Sequence, residues 1–380
     1  MSTSIALIAY RKSSSGIATY TIELAKALSR NFRVIMPAFG LSPTMKKEVE
    51  ARNIEVVDFG RDPSELEYFG GPLIEYRLLS KRVRDSLADR LNEIDYYFFT
   101  IPGFATSFDV QISLANGWGH LGLLHAILTR LRWLPPLMKI PSMIATIEYW
   151  LMDNKIFIKA RRIACTTQAS YNFYKAKFGN RAVYIPPPIE PPIIKREPSE
   201  KLRVLFIARD LSIPRKNLIT LLRALGMLDK THLKGVKLML VGYNAHKFKK
   251  WLNYLKKNGV EISIFGYVAK ECISSIYSNA DVLVYPSYYE ELGYVVLEAM
   301  ACGLPVIVSN IPSFRDMVID GYNGFFIESN DYVKLSNLLS ILIENKKMCH
   351  EMGENGLRVA KERYSSALTV KKIKNIIEEL

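Results

Sequence analysis

At 380 residues the chain is long for one domain and sufficient for two, and its 49% hydrophobic and 23% charged composition is that of a folded globular protein, which excludes a disordered or fibrous chain. The formal net charge of +14 is spread over both halves, so attraction to anionic partners (nucleotides, phosphorylated lipids, a membrane face, nucleic acid) competes with a merely basic surface as its meaning. No uncharged apolar run reaches a membrane span of roughly 18 residues; the first residues lack a signal peptide's basic segment and apolar core, and Cys165, Cys272, Cys302 and Cys349 have neither metal nor disulfide spacing, so a reducing, cytoplasmic location without a metal site is expected.

From the amino terminus the chain alternates. Ser4–Tyr10 is an apolar run that predicts a strand, Arg11–Gly16 is a polar loop, Ile17–Leu28 carries Tyr20, Leu24, Ala27 and Leu28 on a helical face, and Val34–Met36 predicts the next strand. This order opens a Rossmann-like half, although the loop is not the Gly-x-Gly-x-x-Gly of a dinucleotide site. Further strands are expected at Ile54–Val57, Tyr96–Phe99, Val110–Ala115, Ser142–Ile147, Ile163–Thr167 and Val183–Ile185, with a helix over Ala169–Phe178. Arg77–Leu91 and Leu124–Lys139 are basic and amphipathic, and each is either a surface helix packed on the sheet or a contact with an anionic membrane. Asn116–His120 is a polar, aromatic loop at a strand end, where a ligand would bind; His120 is either structural or functional there.

Pro186–Pro188, Pro191, Pro192 and Pro198 cannot continue a helix or a central strand, and they mark a domain boundary. The alternation then restarts with strands at Arg203–Ile207, Lys237–Val241, Glu261–Phe265, Val282–Tyr285, Val306–Val308 and Phe325–Ile327. Helices are expected over Leu218–Leu228, in a basic stretch ending near Lys257, over Lys270–Ser278 and Tyr294–Cys302, and throughout Asp331–Leu380 with a break at Ser365-Ser366; Ile311–Met317 reads as turn. In the loop Ala208–Asn217, Arg209 ends a strand and Lys216 precedes a helix. Two cations so placed either cradle a diphosphate through charge-assisted hydrogen bonds or form a solvated basic loop.

The stretch Asp281–Asn310 parses as strand, loop, helix, turn, strand: a βαβ unit, hence a parallel sheet whose ligands bind beyond the carboxyl ends of its strands. Glu290 follows the first strand, and Glu298 comes after seven intervening residues, in the first turns of the helix. Leu292-Gly293-Tyr294-Val295 forms the helix start, where backbone N–H groups favour an anion. A glutamate near a helix start is often only a cap, stabilised by about 0.3–1 kcal/mol. Here both carboxylates flank an apolar helix (Val295, Val296, Leu297, Ala299, Met300), and a carboxylate on a buried helix needs a partner.

This stretch resembles the Glu-x7-Glu signature of retaining glycosyltransferases with the GT-B fold, of the family-4 type (glycosyl transferases group 1). Pro286, Ser287, Glu290, Gly293, Glu298, Ala299, Ala301, Gly303 and Pro305 match, while Glu291 stands where Gly is usual and Leu292 where Phe is usual. Ser15-Gly16 looks like the first loop of such an enzyme, with Ser15 in place of the first glycine of a pair. Arg209 and Lys216 resemble the pair that holds the donor diphosphate, with Asn217 where Gly is common and Arg215 as the alternative to Lys216. Phe265-Gly266-Tyr267-Val268 resembles the strand-end loop against the nucleotide base. Many relatives place a histidine where this chain looks to have Glu148, so His120, Glu148 or neither fills that role.

The resemblance implies an α/β GT-B fold: two Rossmann-like domains facing across a cleft, residues 1–190 binding the acceptor and residues 191–360 the donor, with a last helix over 361–380 crossing back to the first domain. It implies retaining hexosyl transfer from a UDP- or GDP-sugar to a glycan or lipid-linked acceptor, without cofactor or required metal. Arg209 and Lys216 would act on the leaving diphosphate, Glu290 on the donor sugar and Glu298 on ribose hydroxyls. Leu292, Gly293, Tyr294 and Val295 would meet phosphate or sugar, Tyr267 and Val268 the base, Gly16 the donor from the first loop, and His120 the acceptor side. The basic segments of the first half point to peripheral contact with the cytoplasmic face of a membrane. The alternatives are a sugar-nucleotide-binding protein without catalysis and a nucleic-acid-binding protein; dispersed basic residues and no nucleic-acid motif speak against the second.

Overall fold

The structure is a computed structural model that describes residues 3–8, 16–38, 43–58, 81, 83–85, 87, 93–99, 112–114, 156–192, 194 and 199–380. Ser15, His120, Glu148, the loop 116–119, the segment 124–139, the strand expected at 142–147 and most of 77–91 lie outside these residues. Two compact units result: residues 1–188 with 366–380, and residues 189–365.

In the first unit the strands β1 (Ser4–Ile8), β2 (Arg33–Ala38), β3 (Glu55–Asp58), β4 (Tyr96–Phe99), β5 (Ile112–Leu114), β6 (Arg162–Cys165) and β7 (Ala182–Tyr184) form a sheet in the order β3-β2-β1-β4-β5-β6-β7. Every described pairing in it is parallel. Helix α1 (Gly16–Leu28) begins one residue earlier than the sequence predicts, so Gly16 is its first residue and not the last of the loop. Helices α2 (Pro43–Glu50) and α3 (Gln168–Phe178) follow β2 and β6; Thr167 caps α3 by accepting from Ser170 N at 3.2 Å. Ala6, Ile35, Val83, Leu87, Phe157 and Ile163 share one buried core, because a parallel sheet covered by helices needs apolar residues on both faces.

The second unit repeats the scheme. Strands β8 (Leu202–Asp210), β9 (Val236–Tyr243), β10 (Glu261–Gly266), β11 (Val282–Tyr285), β12 (Val306–Ser309) and β13 (Gly324–Ile327) are ordered β10-β9-β8-β11-β12-β13, again parallel throughout. Its helices are α4 (Leu218–Met227), α5 (Lys230–Lys234), α6 (Lys249–Lys257), α7 (Lys270–Ser278), α8 (Tyr294–Ala301), α9 (Pro312–Arg315), α10 (Tyr332–Glu344) and α11 (Lys346–Tyr364). The order places β8 and β11 side by side where the winding direction reverses, the point at which open α/β sheets bind ligands. Arg203 and Asp281 lock the opposite end of that strand pair: Asp281 Oδ2 accepts from Arg203 N at 2.8 Å and Nε at 3.0 Å, and Oδ1 from Nη2 at 2.7 Å.

Three local expectations are corrected. Strand β8 runs on to Asp210, so Arg209 belongs to the strand and not to a loop. Residues 312–315, expected as turn, form the short helix α9, which Pro312 favours by fixing φ in its first turn. The last helix, expected over 361–380, begins only after the break at Ser365: α11 runs on to Tyr364, and α12 (Ser366–Glu378) belongs to the first unit. There Thr369 Oγ1 donates to Pro186 O at 2.8 Å, Lys372 Nζ to Tyr184 O at 3.2 Å, and Arg162 pairs with Glu379 at 3.2 Å.

Candidate functional site

The site forms where the chain leaves β8 and β11. After Asp210 it turns through a 3-10 helix, Pro214–Lys216, into α4. Asn217 starts α4 in the left-handed region at φ 59°, a conformation Asn tolerates where Gly is the default. Its side chain also earns the position, donating to Pro286 O at 3.0 Å and Ser329 O at 2.5 Å, so Asn217 stitches the β8 loop to the β11 loop. Backbone and side-chain bonds add to the seam: Tyr288 N donates to Arg215 O at 3.0 Å and Arg215 Nη1 to Tyr289 O at 2.7 Å.

Between the loops lies a compact charge cluster. Glu290 is only 8% exposed. Its Oε1 accepts from Lys216 Nζ at 2.6 Å and from Ser287 Oγ at 2.9 Å, and lies 3.0 Å from Arg215 Nη1. Lys216 Nζ also donates to Tyr285 Oη at 2.5 Å and stands 5.0 Å from that ring's centre. Burial alone would raise the Glu290 pKa, but the charges of Lys216 and Arg215 outweigh it and hold the carboxyl at about 2. Burial pulls the Lys216 ammonium below its ordinary value despite Glu290, whereas the Glu290 charge overcomes burial at Arg215 and raises it. Burial, reinforced by the Glu290 charge, pushes the Tyr285 phenol well up, so it stays neutral.

The helix start follows directly. Gly293 has φ 68°, and a Cβ there would stand 2.2 Å from Phe314 Cε1, so backbone and space both demand glycine. No side chain of the described residues caps α8. Tyr294 is buried and Leu292 and Val295 half-buried around it. On the next turn Glu298, half-buried, accepts from Tyr277 Oη at 2.9 Å. Burial, with the Glu298 charge beside it, raises the Tyr277 phenol well above its ordinary value and keeps it a donor.

Four expected residues stand apart from the cluster. Arg209 is exposed near the end of β8 and has no side-chain partner among the described residues. Beyond β10, Tyr267 is 43% exposed and stacks on Tyr243, itself 51% exposed, with centroids 5.6 Å apart and planes at 5°. Val268 is half-buried beside it. Gly16 lies in the first unit, in α1.

Sequence reasoning weighed Arg215 only as a substitute for Lys216; the structure brings both onto Glu290. It missed Tyr277, Tyr285 and Tyr243, whose contacts join different elements and leave no local spacing to read. Among the described residues no group of three or more His, Cys, Asp or Glu side chains could hold a metal. What the cluster offers chemically is a set of cations, hydroxyls and helix-start amides around one carboxylate, suited to an anionic, hydroxyl-bearing ligand.

Comparison with known proteins agrees with this geometry. Residues 192–359 match the family model of the glycosyl transferases group 1. An uncharacterised glycosyltransferase of Methanocaldococcus jannaschii is 29% identical over 58% of this chain and 60% of its own length. The O-antigen chain mannosyltransferase B of Escherichia coli is 35% identical over 32% of each chain. These matches span less than two thirds of either relative. In structure, HepE of Anabaena, solved with UDP and glucose, superposes with a TM-score of 0.71 at 18% identity, covering 100% of both chains. The chain therefore has the α/β fold of the GT-B glycosyltransferases, and its residues 192–359 are similar to the glycosyl transferases group 1.

Proposed function

We propose that the protein transfers a hexose from a UDP- or GDP-sugar to a glycan or lipid-linked acceptor with retention of anomeric configuration, residues 189–365 binding the donor and the first unit the acceptor. The observation that carries this reading is the convergence of Lys216, Arg215 and Ser287 on Glu290 Oε1 at the switch point between β8 and β11. The matched domain supports it, as does the UDP and glucose in the HepE structure.

In this reading the bond from the anomeric carbon to the diphosphate oxygen breaks as the bond to the acceptor oxygen forms on the same face, and the acceptor's hydroxyl proton passes to the departing diphosphate oxygen. Negative charge gathers on the departing diphosphate. Lys216, Arg215 and the exposed Arg209 stabilise it, and the helix-start amides at Gly293–Val295 assist, an electrostatic task in a site already organised. Glu290, kept ionised, accepts from hydroxyls of the donor sugar. Glu298 accepts from the ribose, its rotamer fixed by Tyr277. Tyr267 and Val268 lie against the base. His120 or Glu148 serves the acceptor side. The reading invokes neither a covalent nucleophile nor a metal. A cytoplasmic enzyme at a membrane face fits a lipid-linked acceptor.

The test is thermal unfolding with nucleoside diphosphates and nucleotide sugars, on wild type and Glu298→Ala. A ligand at 100 times its Kd adds about 2.7 kcal/mol to the folded state. One nucleotide series should raise the melting temperature of wild type and do little for the variant, and sugar transfer should follow from the same series. A folded wild type that no nucleotide stabilises would overturn the donor assignment.

A further inference from the structure

Helix α6 and the turn before it carry a concentration of lysine. From Asn244 to Val260 the sequence holds Lys247, Lys249, Lys250, Lys256 and Lys257 and no acidic residue. Leu252 and Leu255 are buried and fix the helix by packing into the core of the second unit, with Phe248 and Trp251 beside them. At 3.6 residues per turn, that packing turns Lys250, Asn253 and Lys257 outward, flanked by Lys249, Lys256 and Tyr254. Lys249, Lys250, Lys256 and Lys257 are exposed, and none of the four ammonium groups has an ion pair or hydrogen bond among the described residues. By contrast, Lys201 and Lys237 of the same unit share Glu261. Exposed Lys234 lies against Gly259 at the end of α6 and extends the patch.

The rim of this face is apolar. Tyr254 is 48% exposed and Met227 51%. A side chain at Gly226 would meet Trp251 at 3.5 Å and Tyr254 at 3.7 Å, so the aromatic pair rests on the last turn of α4 next to Met227. Amphipathic tyrosine, methionine and long lysine stems around unpaired charge match the boundary between lipid headgroups and acyl chains. A nucleic acid is the weaker fit. The face has no arginine for bidentate phosphate contacts, and Tyr254 meets Trp251 edge-on at 85° rather than forming an open stacking platform.

We propose that the lysine face of α6, with Tyr254 and Met227 at its rim, docks the second unit on an anionic lipid surface. This surface is separate from the donor site and from the basic segments of the first half, and the proposal does not rest on the glycosyltransferase reading.

The experiment is co-sedimentation of the full chain with phosphatidylcholine vesicles, with and without phosphatidylglycerol. Wild type should bind the anionic vesicles, and binding should fall as salt shortens the Debye length from about 10 Å at 0.1 M toward about 3 Å at 1 M. The quadruple variant K249Q/K250Q/K256Q/K257Q should lose more than tenfold in partitioning, given about fivefold per lysine near an anionic surface. A second quadruple variant at exposed lysines elsewhere, K47Q/K334Q/K361Q/K371Q, removes the same net charge and should lose far less. Tyr254→Ser should weaken binding severalfold at every salt concentration. Equal loss in both quadruple variants would reduce the effect to net charge and overturn the proposal. So would absence of vesicle binding, or capture of single-stranded RNA through these lysines when vesicles are not bound.

Discussion

Two forces act on one proton at Glu290. Burial favours the neutral acid, and the adjacent Lys216 and Arg215 favour the carboxylate and prevail, holding the group at about 2 against an ordinary 4.5. Because the folded value is the lower one, the stabilisation is complete above 4.5 and is lost as pH falls toward 2. The span corresponds to about 3 kcal/mol. Urea unfolding at stepped pH should therefore show wild type losing its advantage over Glu290→Gln across that window; parallel curves would remove the carboxylate from the ion cluster. Glu298 makes a different prediction. Losing a hydrogen bond to a charged acceptor costs about 1.5–3 kcal/mol, so Glu298→Gln should weaken nucleoside diphosphate binding roughly ten- to a hundredfold by calorimetry, with little change in unfolding free energy. A variant that binds as wild type does would exclude Glu298 from the ribose contact. Both glutamates were legible in the sequence, since their spacing around one helix start is local. Tyr277 was not: its hydroxyl reaches Glu298 across 21 residues and from another helix.

At the scale of elements, the helix start at Gly293 concentrates two constraints. The residue holds φ 68°, and a methyl group would strike the Phe314 ring at 2.2 Å. Gly293→Ala should cost about 2–4 kcal/mol of unfolding free energy, the sum of left-handed strand-to-helix strain and overpacking. Adding Phe314→Leu removes part of the clash and none of the strain, so the double variant should recover only part of the loss. Full recovery would show that φ carries no cost. A second element-scale device ties α5 to the end of α10: His232 Nδ1 lies 2.5 Å from Asp229 Oδ2 and Nε2 lies 2.9 Å from Glu344 Oε1. Hydrogen bonds to both carboxylates raise the imidazole's pKa. Its contribution is present below 6.5 and fades as pH rises through the folded value, and on this exposed site it stays within about 1 kcal/mol. Strand and helix positions were readable because the apolar period is local. Their ends were less so, since β8 gains Ala208–Asp210 by pairing with β9 out to Tyr243, a contact supplied by the sheet.

At the scale of the molecule, α12 separates chain order from structural order. It follows the whole second unit in sequence, yet Thr369, Val370, Ile373 and Ile376 are buried in the first unit, and Thr369 bonds Pro186 there. The sequence signals the break at Ser365-Ser366 and the amphipathic period beyond it, but periodicity does not say which core an apolar stripe enters. The assignment has a thermodynamic consequence. Ile373 is 0% exposed, and Ile373→Ala should cost about 2–5 kcal/mol. That cost falls on the first unit. Calorimetric unfolding should show a lower transition for residues 1–188 with 366–380, while the transition of residues 189–365 keeps its temperature and its response to nucleotide, because the charge cluster on Glu290 and the contact of Tyr277 with Glu298 lie entirely inside that unit. If Ile373→Ala abolished nucleotide-induced stabilisation while leaving residues 189–365 folded, the donor site would need the first unit. Arg209, the one expected cation without a described partner, would then be the residue to examine for a contact made only when the donor is bound.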